Sequence, residues 1–386
     1  MPLQCPQLGG DSDNNGTDSI FQSHHLHTDL ADTYESPVPM DIQGYKFRRF
    51  ESPWKPTTPP KSLPSDPYAH YIYHKELSIH HFTGTSDDIE GDLEVEKRPA
   101  RTIIVGDVHG NLKGFDGFLK KVKFDSSKDR IILAGDMVAK GPQSLELIDR
   151  AMELGALCVR GNHDDKVIRW RGFLDSLSLQ QAEALGVELA QDDDIEENAI
   201  KEEEFKEVFS ELVSDVHSAQ QPLHIQINNV PEDLRRGSAH HDIAKKLSKK
   251  QYNYLKNCPL ILTLPRELSH NKVPIHVVHA GIDPKRGILK QQPWVLINVR
   301  NLLKDGTPSS KKSDGQGWAK TFNDMHHQRC STKDDFMIVY GHDAGRSLNV
   351  KRWSVGLDTG CVYGRQLTGY VVETGQILSV SCPSGL

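Results

Sequence analysis

The fold is decided by three stretches of sequence, RTIIVGDVHGN (101–111), RIILAGDMVAKGP (130–142) and LCVRGNHD (157–164). Each begins with a short apolar run and ends in a glycine-containing turn, which is the pattern of a buried strand. Between them lie NLKGFDGFLKKV (111–122) and PQSLELIDRAMELG (142–155), whose apolar residues recur every three or four positions, as in a helix. The alternation of strand and helix predicts an α/β sandwich.

The rest of the chain divides into segments of different composition. Residues 1–45 are rich in Asp, Ser, Asn and Gly, which predicts a disordered acidic tail. Residues 46–100 contain a cluster of prolines and are predicted to form a linker or a strap lying on the domain. The predicted folded domain covers 101–386, and its strands resume after a mostly helical, strongly charged insertion at 176–255.

Polar residues follow five of the predicted strands. They are Asp107, His109 and Asn111 after the first, Asp136 after the second, Arg160, Asn162 and His163 after the third, and His279 and His342 after two later ones. In open α/β sheets, ligands bind beyond the carboxyl ends of the strands, so these side chains should converge. Asp, His and Asn ligands suit Mn, Fe or Zn. Two metals roughly 3.5–4 Å apart would need one bridging carboxylate and would clamp the attacking and leaving oxygens of an in-line displacement.

Each of these residues has a structural interpretation when it is taken alone. Asp107 could cap the following helix, Asn162 could be a turn residue, and His279 or His342 could be a hydrogen-bonded core histidine. Five such clusters in one order are hard to produce by accident, so the metal centre is the favoured interpretation. Among the adjacent histidine pairs, 240–241 is the one placed to approach this centre, because it precedes a helical segment.

The same blocks resemble the calcineurin-like metallophosphoesterase superfamily. The resemblance covers 101–375 and rests on GDVHGN, GDMVAKG, RGNHD, HAGI and GHDAG. Within the superfamily, the chain is most similar to the branch of Ser/Thr phosphatases and bacterial diadenosine tetraphosphatases. The blocks GDMVAKGP, NVRNLLKDGTPS and GLDTGCVYGRQLTGY resemble fungal zinc-dependent endopolyphosphatases of that branch. The resemblance implies an α/β fold with a four-layer α-β-β-α sandwich.

The resemblance also implies a role for each motif residue. It assigns Asp107 and His109 to one metal, Asn162, His279 and His342 to a second, and Asp136 to the bridge between them. His163 would be the general acid that protonates the leaving oxygen, and Arg160 would grip a phosphate with its planar guanidinium. Two divalent ions of Zn, Mn, Co or Fe would activate a hydroxide that attacks phosphorus directly.

Some motif positions depart from the protein-phosphatase pattern GDxxDRG. Ala139 stands where the carboxylate that orients the catalytic histidine would be, and Lys140 replaces the phosphate-binding arginine. The orienting carboxylate must come from elsewhere, with Asp164 and Asp343 as candidates. Ala344 replaces a further histidine ligand, so we expect three protein ligands and water on the first metal.

The net charge of −7 is unevenly distributed along the chain. Residues 1–45 carry seven acids and no Lys or Arg, and the run 188–211 carries eleven acids against two lysines, so the remaining body is net +9. A cationic cleft attracts polyanions. We predict that Lys140, Arg300 and Arg346 contact such a substrate; no nucleic-acid-binding motif is present.

The sequence therefore favours a metal-dependent hydrolase of phosphoanhydride bonds, with inorganic polyphosphate the first substrate and endopolyphosphatase the first activity. The alternatives are a dinucleoside-polyphosphate hydrolase and a Ser/Thr protein phosphatase. A catalytically silent scaffold is disfavoured, because every expected ligand and the acid are present. The oligomeric state stays open.

The sequence also bears on the compartment. No stretch approaches the 18 apolar residues of a transmembrane helix, and the six cysteines are scattered without a CxxC motif. We expect reduced thiols and a cytoplasmic protein. The alternative is the vacuole, with which fungal endopolyphosphatases are associated.

Overall fold

A computed structural model describes residues 48–49, 68–79, 101–184, 230–231, 233–327 and 335–383. The predicted acidic tail at 1–45 and the acidic run at 188–211 lie outside these residues. Within the described part of the chain, no helix is both long enough and apolar enough to cross a membrane.

The described strands are numbered here in chain order. They are β1 (Arg48–Arg49), β2 (Ile72–Glu76), β3 (Thr102–Val105), β4 (Arg130–Leu133), β5 (Leu157–Cys158), β6 (Ile261–Leu264), β7 (Ile275–Val277), β8 (Asn301–Leu302), β9 (Pro308–Ser309), β10 (Gln316–Gly317), β11 (Met337–Tyr340), β12 (Asn349–Val350), β13 (Ser354–Gly356), β14 (Gln366–Val371) and β15 (Ile377–Ser381). The described helices are α1 (Leu112–Lys121), α2 (Ser144–Glu153), α3 (Asn162–Ala184), α4 (Ala239–Lys246), α5 (Lys249–Lys256), α6 (Pro293–Asn298) and α7 (Trp318–His327).

Two mixed sheets form the centre of the molecule. The first has the order β15-β14-β3-β4-β5, and the second has the order β1-β2-β6-β7-β11-β13-β12. Strands β3, β4 and β5 run parallel to one another, as do β7, β11 and β13. The carboxyl ends of each parallel set therefore lie at one edge of their sheet, and the loops that leave them are neighbours.

The sheets and helices stack in four layers because successive strand residues point to opposite faces. Ile104 of β3 and Ile132 of β4 belong to a cluster between the two sheets that also contains Val277 and Val339. Their neighbours in sequence, such as Ile103, pack instead against the helices that follow in the chain. A third cluster places α6 and α7 against the outer face of the second sheet. The predicted α-β-β-α sandwich is confirmed.

The helices begin where the sequence offers caps. The side chain of Asn111 accepts a hydrogen bond from the backbone N–H of Gly114 and so caps α1. Ser248 and Gln251 form a reciprocal capping box at the start of α5. The described parts of the predicted insertion at 176–255 are mostly helical, and residues such as Leu255 belong to the core cluster on the helix-covered face of the first sheet.

The segment at 46–100 contains more regular structure than the linker or strap that the sequence predicts. Strand β2 lies within this range and pairs in parallel with β6 in the second sheet. Prolines dominate residues 52–67, upstream of β2, whereas the strand itself reads IYHKE and is free of proline. Part of this segment is therefore a sheet element of the domain.

The prediction that the cysteines are reduced thiols is wrong for four of the six. Cys158 is bonded to Cys258 and Cys361 to Cys382. The first pair is 100 residues apart in sequence and the second 21 residues apart, so their proximity is produced by the fold and leaves no spacing motif in the sequence.

Candidate metal centre

The predicted ligands come together at the carboxyl ends of five strands. Asp107 and His109 follow β3, Asp136 follows β4, and Asn162 opens α3 shortly after β5. From the second sheet, His279 follows β7 and His342 follows β11. The two sheets thus supply opposite sides of one polar centre.

Two groups of side chains that could hold a metal ion share Asp136. The first comprises His109, Asp136 and His163, and the second comprises Asp136, His279 and His342. Asp136 Oδ2 lies 3.4 Å from His109 Nε2, and Asp136 Oδ1 lies 3.4 Å from His279 Nε2. The two carboxylate oxygens therefore face different groups, which is the arrangement that a bridging ligand requires.

Asn162 lies inside the second group. Its Oδ1 is 3.1 Å from both His279 Nε2 and His342 Nδ1, and these two ring nitrogens are 3.2 Å apart. Three potential ligand atoms on different elements thus converge on the same point as one oxygen of Asp136.

Carbonyl oxygens orient three of the histidine rings. His109 Nδ1 contacts Val138 O at 3.0 Å, His279 Nδ1 contacts Ala134 O at 2.8 Å, and His342 Nε2 contacts Asn298 O at 3.2 Å. A ring that donates one N–H to a carbonyl turns the lone pair of its other nitrogen towards the centre. Metal-binding histidines usually donate their other ring N–H to a carbonyl or carboxylate in this way.

The backbone around the centre adopts a conformation that L residues seldom take. Three of the candidate ligands, His109, Asp136 and His342, have φ values of 51°, 50° and 72°. Such left-handed residues cluster at functional sites because the surrounding structure must hold them there. At Gly341 and Gly161 an added Cβ would lie 2.0 Å from Asp107 Oδ1 and 2.2 Å from Asp136 Oδ1. These glycines therefore let the chain pass directly against the acidic ligands.

The acidic residues make the centre suitable for cations. Burial, followed by the repulsion of neighbouring Asp358, raises the pKa of Asp107 well above its ordinary value. Burial would do the same at Asp136, but its histidine neighbours, His279 first, outweigh burial and hold the pKa of Asp136 well below normal. Burial lowers the pKa of His279, but Asp136 outweighs burial and raises it to about 9. Buried carboxylates at this density require positive charge beside them.

An unbonded carboxylate oxygen also fits a metal. Asp107 Oδ1 accepts a hydrogen bond of 2.9 Å from the backbone N–H of His342. Asp107 Oδ2 is buried and accepts no hydrogen bond within the described part of the chain. A buried polar atom without a hydrogen bond is costly, and a cation bound there would offset that cost. The carboxylate and imidazole donors suit Mn, Fe, Zn or Co, and no observation selects among them.

His163 lies at the same centre and contacts one of the paired histidines at 240–241. Its Nε2 is 4.0 Å from Asp136 Oδ2, and its Nδ1 is 2.8 Å from His240 Nε2 in α4, with the two rings stacked 5.0 Å apart. Burial lowers the pKa of His163 to about 2 and that of His240 to about 4. Burial thus favours the neutral form of both rings, and in that form one ring can donate an N–H to the other.

Neither acid that the sequence offers as the orienting carboxylate touches His163. Asp164 accepts hydrogen bonds from the backbone N–H groups of Met137 and Gly161, so it holds the loop that carries Asp136. Asp343 instead forms an ion pair with Arg346. Neither candidate is supported, because Asp164 is engaged by the loop that carries Asp136 and Asp343 by Arg346 of its own loop.

Arg160, which the sequence predicts to grip a phosphate, has protein partners in the structure. Its side chain is fully buried, and its guanidinium donates to Lys256 O at 3.0 Å and to Asp165 Oδ1 at 3.5 Å. The guanidinium carbon also lies 5.0 Å from the ring centroid of Tyr71. Arg160 therefore ties the RGNHD segment to neighbouring elements.

The other predicted substrate contacts are close to the centre. Lys140 is exposed, and its Nζ lies 2.7 Å from His109 Nε2. Arg300 donates to the backbone oxygen of His342 at 3.3 Å. Arg300 and Arg346 line a cavity of about 220 Å³ immediately behind the loop that carries His342. Asp343 lies between the two guanidinium groups and offsets part of their charge.

Comparison with known proteins agrees with this geometry. The family model for calcineurin-like phosphoesterases matches residues 100–363. The chain belongs to this family. A symmetrical bis(5'-nucleosyl)-tetraphosphatase of Coxiella burnetii is 26% identical over 337 residues, covering 75% of this chain and 94% of the relative. The corresponding enzyme of Aeromonas salmonicida is 26% identical and covers 72% and 97% of the two chains.

Among solved structures, a proposed diadenosine tetraphosphatase aligns with a TM-score of 0.49. It is 26% identical, and the alignment covers 74% of this chain and 96% of that one.

Metal binding should stabilise the calcineurin-like phosphoesterase domain. We expect chelator-treated protein to bind two Mn²⁺ ions per chain by calorimetry, and its melting temperature to rise with Mn²⁺ concentration. A ligand present at a hundredfold excess over its Kd contributes about 2.7 kcal/mol to the free energy of unfolding. Asp107→Asn should lower the stoichiometry or affinity, whereas Asp116→Asn on the exposed face of α1 is the matched control. Equal metal binding by both variants would contradict the assignment of Asp107.

Proposed function

We propose that this protein is a metal-dependent hydrolase of the phosphoanhydride bonds of dinucleoside polyphosphates. The observation that carries the proposal is the pair of ligand groups sharing Asp136, in a chain whose relatives are symmetrical dinucleoside tetraphosphatases. The alignments cover almost the full length of those relatives, so the similarity is not confined to the motifs. They support this substrate over the inorganic polyphosphate that the sequence blocks favour.

The ligand assignments follow the geometry of the centre. Asp107 and His109 would hold one divalent cation, Asn162, His279 and His342 would hold another, and Asp136 would contact both. When bound, two cations supply Lewis acidity to the phosphate oxygens and lower the pKa of water. The chain contributes the fixed positions of these ligands, which the histidine–carbonyl contacts and the glycine turns maintain.

His163 is the proposed general acid. Hydrolysis adds a water oxygen to phosphorus and breaks the bond to the leaving phosphate, whose oxygen needs a proton. A polyanionic substrate favours the imidazolium form of His163, because an opposite charge raises the pKa of a nearby base. In that form Nδ1 donates to His240 Nε2 and Nε2 points at the centre, where the leaving oxygen would be. His240 then fills the orienting role that Ala139 cannot supply.

Cationic side chains around the centre would hold the phosphate chain. Lys140 replaces a guanidinium with a flexible point charge, so it can follow a phosphate as the substrate binds. Lys140 Nζ lies 2.7 Å from His109 Nε2, and its flexible side chain would instead contact the substrate when His109 serves as a metal ligand. Arg300 and Arg346 line the neighbouring cavity and would contact phosphates beyond the cleaved bond.

A substrate panel tests the proposal. Protein loaded separately with Zn²⁺, Mn²⁺, Co²⁺ or Mg²⁺ is given diadenosine tetraphosphate, long-chain polyphosphate or a phosphopeptide, and the products are separated by chromatography. We expect two ADP from each diadenosine tetraphosphate, with a higher kcat/KM than for the other substrates and no activity in EDTA. Faster cleavage of polyphosphate would restore the endopolyphosphatase interpretation. Activity on the phosphopeptide alone would favour a protein phosphatase.

The predicted compartment stays a prediction. Disulfides are typical of oxidising compartments, so the pairs Cys158–Cys258 and Cys361–Cys382 argue against the cytoplasm and favour the alternative location.

A further inference from the structure

An exposed tyrosine lies at the edge of the metal centre. Tyr363 ends a short 3-10 turn, Cys361–Tyr363, and its relative exposure is 54%. Large exposed apolar side chains elsewhere in the described residues are aliphatic, which makes this aromatic ring unusual. Such a ring keeps apolar surface exposed to water, and its flat face can stack on an aromatic ligand.

The turn that carries Tyr363 is held rigidly. Gly360 and Gly364 flank it with φ values of 76° and 72°, and Cys361 is bonded to Cys382 in the neighbouring strand region. The position of the ring is therefore set by a covalent link and two left-handed turns. A rigid platform loses little conformational entropy when a ligand binds.

Lys140 connects the ring to the metal centre. Its Nζ lies 5.8 Å from the ring centroid of Tyr363 and 2.7 Å from His109 Nε2. A single lysine side chain thus contacts a candidate metal ligand and lies over the ring of Tyr363. A ligand could therefore stack a flat group on the ring and place a phosphate at the centre, with a short linker between the two.

A second cation flanks the same ring. The guanidinium carbon of Arg365 lies 5.7 Å from the Tyr363 centroid, and its Nη2 donates to Ala344 O at 2.9 Å. Ala344 is two residues beyond His342, so this contact fixes Arg365 to the loop that closes the second ligand group. Two cationic side chains therefore lie over the ring, Lys140 beside His109 and Arg365 hydrogen-bonded to the loop that follows His342.

We propose that Tyr363 is a stacking platform for one nucleobase of the substrate, with Lys140 and Arg365 contacting the phosphates attached to that nucleoside. The inference rests on the proposed function and identifies what distinguishes a nucleotide from inorganic polyphosphate at this site. An aromatic side chain stacks on any base, because every base has a π-face. Inorganic polyphosphate has no base, so the platform would contribute nothing to its binding.

The variant Tyr363→Leu removes the aromatic face and keeps an apolar side chain, and Tyr363→Phe keeps the face. Steady-state kinetics compare diadenosine tetraphosphate with inorganic tripolyphosphate. We expect Tyr363→Leu to raise the KM for diadenosine tetraphosphate about tenfold relative to the KM for inorganic tripolyphosphate. This is the expected effect of losing one stacking contact. Tyr363→Phe should stay within about twofold of wild type. Leu289→Ala, at an equally exposed position away from the centre, is the matched control.

A binding measurement separates this inference from the proposed function. The affinities of AMP and ribose 5-phosphate are measured by calorimetry on the full chain in EDTA. We expect Tyr363→Leu to weaken the binding of AMP about tenfold and to weaken the binding of ribose 5-phosphate much less. If wild type fails to cleave diadenosine tetraphosphate but shows this dependence, the nucleobase site stands and the proposed activity fails. Cleavage by a Tyr363→Leu variant with wild-type KM and wild-type AMP affinity would overturn the platform.

Discussion

Asp136→Asn is expected to lower kcat/KM for diadenosine tetraphosphate by at least about a thousandfold, because the single carboxylate faces both ligand groups and several kcal/mol of transition-state stabilisation depend on the cations. The asparagine keeps the size of the side chain and one oxygen. That oxygen can still accept the 2.9 Å hydrogen bond from the backbone N–H of His163. The variant therefore removes charge and a ligand atom while retaining the local hydrogen bond.

The measurement combines kinetics with metal content. Asp136→Asn should bind fewer than two ions per chain and should melt within a few degrees of the metal-free wild type. Asp116→Asn, which changes the same side chain on an exposed helix face, should match wild type in both respects. Activity of Asp136→Asn within tenfold of wild type would refute the assignment of a shared bridging ligand.

The convergence of the candidate ligands could be predicted from the sequence, because each of them follows a strand within a few residues. Once Asp107, Asp136 and His279 are placed at strand ends, the topology of two parallel strand sets brings them to one edge. Little side-chain detail is needed for that step. The four-layer fold follows for the same reason, since strand alternation determines which face each apolar residue covers.

Side-chain partners could not be predicted, because they depend on packing between distant elements. Arg160 looks like a phosphate ligand in the motif RGNHD, but the carbonyl that engages it belongs to Lys256, 96 residues away. The acid Asp164 is adjacent to His163 in sequence, yet it turns towards the backbone of the Asp136 loop. Sequence proximity therefore indicates which loop a residue occupies and not which way its side chain points.

The charge distribution illustrates the same limit at a larger scale. Subtracting the acidic segments predicts a cationic body, but it does not show where the cations are. In the structure Arg346 is paired with Asp343, whereas Lys140 and Arg365 flank an exposed tyrosine. The ion pair with Asp343 thus offsets the positive charge of Arg346. The charges of Lys140 and Arg365 lie beside the ring that we propose as the base platform.

The second large effect on catalysis is expected from removing the contact between His163 and His240. His240→Ala should lower kcat about 10- to 100-fold, the loss typical of removing a residue that orients a reacting side chain, and should change KM much less. The reason is geometric, since the 2.8 Å contact between His163 Nδ1 and His240 Nε2 fixes the ring whose other nitrogen faces the centre. His240→Gln should recover part of the loss, because its amide oxygen can accept the same hydrogen bond.

A double-mutant cycle shows whether His240 acts through His163. If it does, His163→Ala together with His240→Ala costs no more in kcat than His163→Ala alone, because the oriented ring is already gone. Two independent losses that multiply would show that His240 acts through something other than His163. His241→Ala is the matched control, since this neighbouring ring of α4 packs on Trp170, with centroids 4.6 Å apart. A wild-type kcat for His240→Ala would contradict the orienting role of His240. The group that orients His163 would then have to come from the loops around the centre.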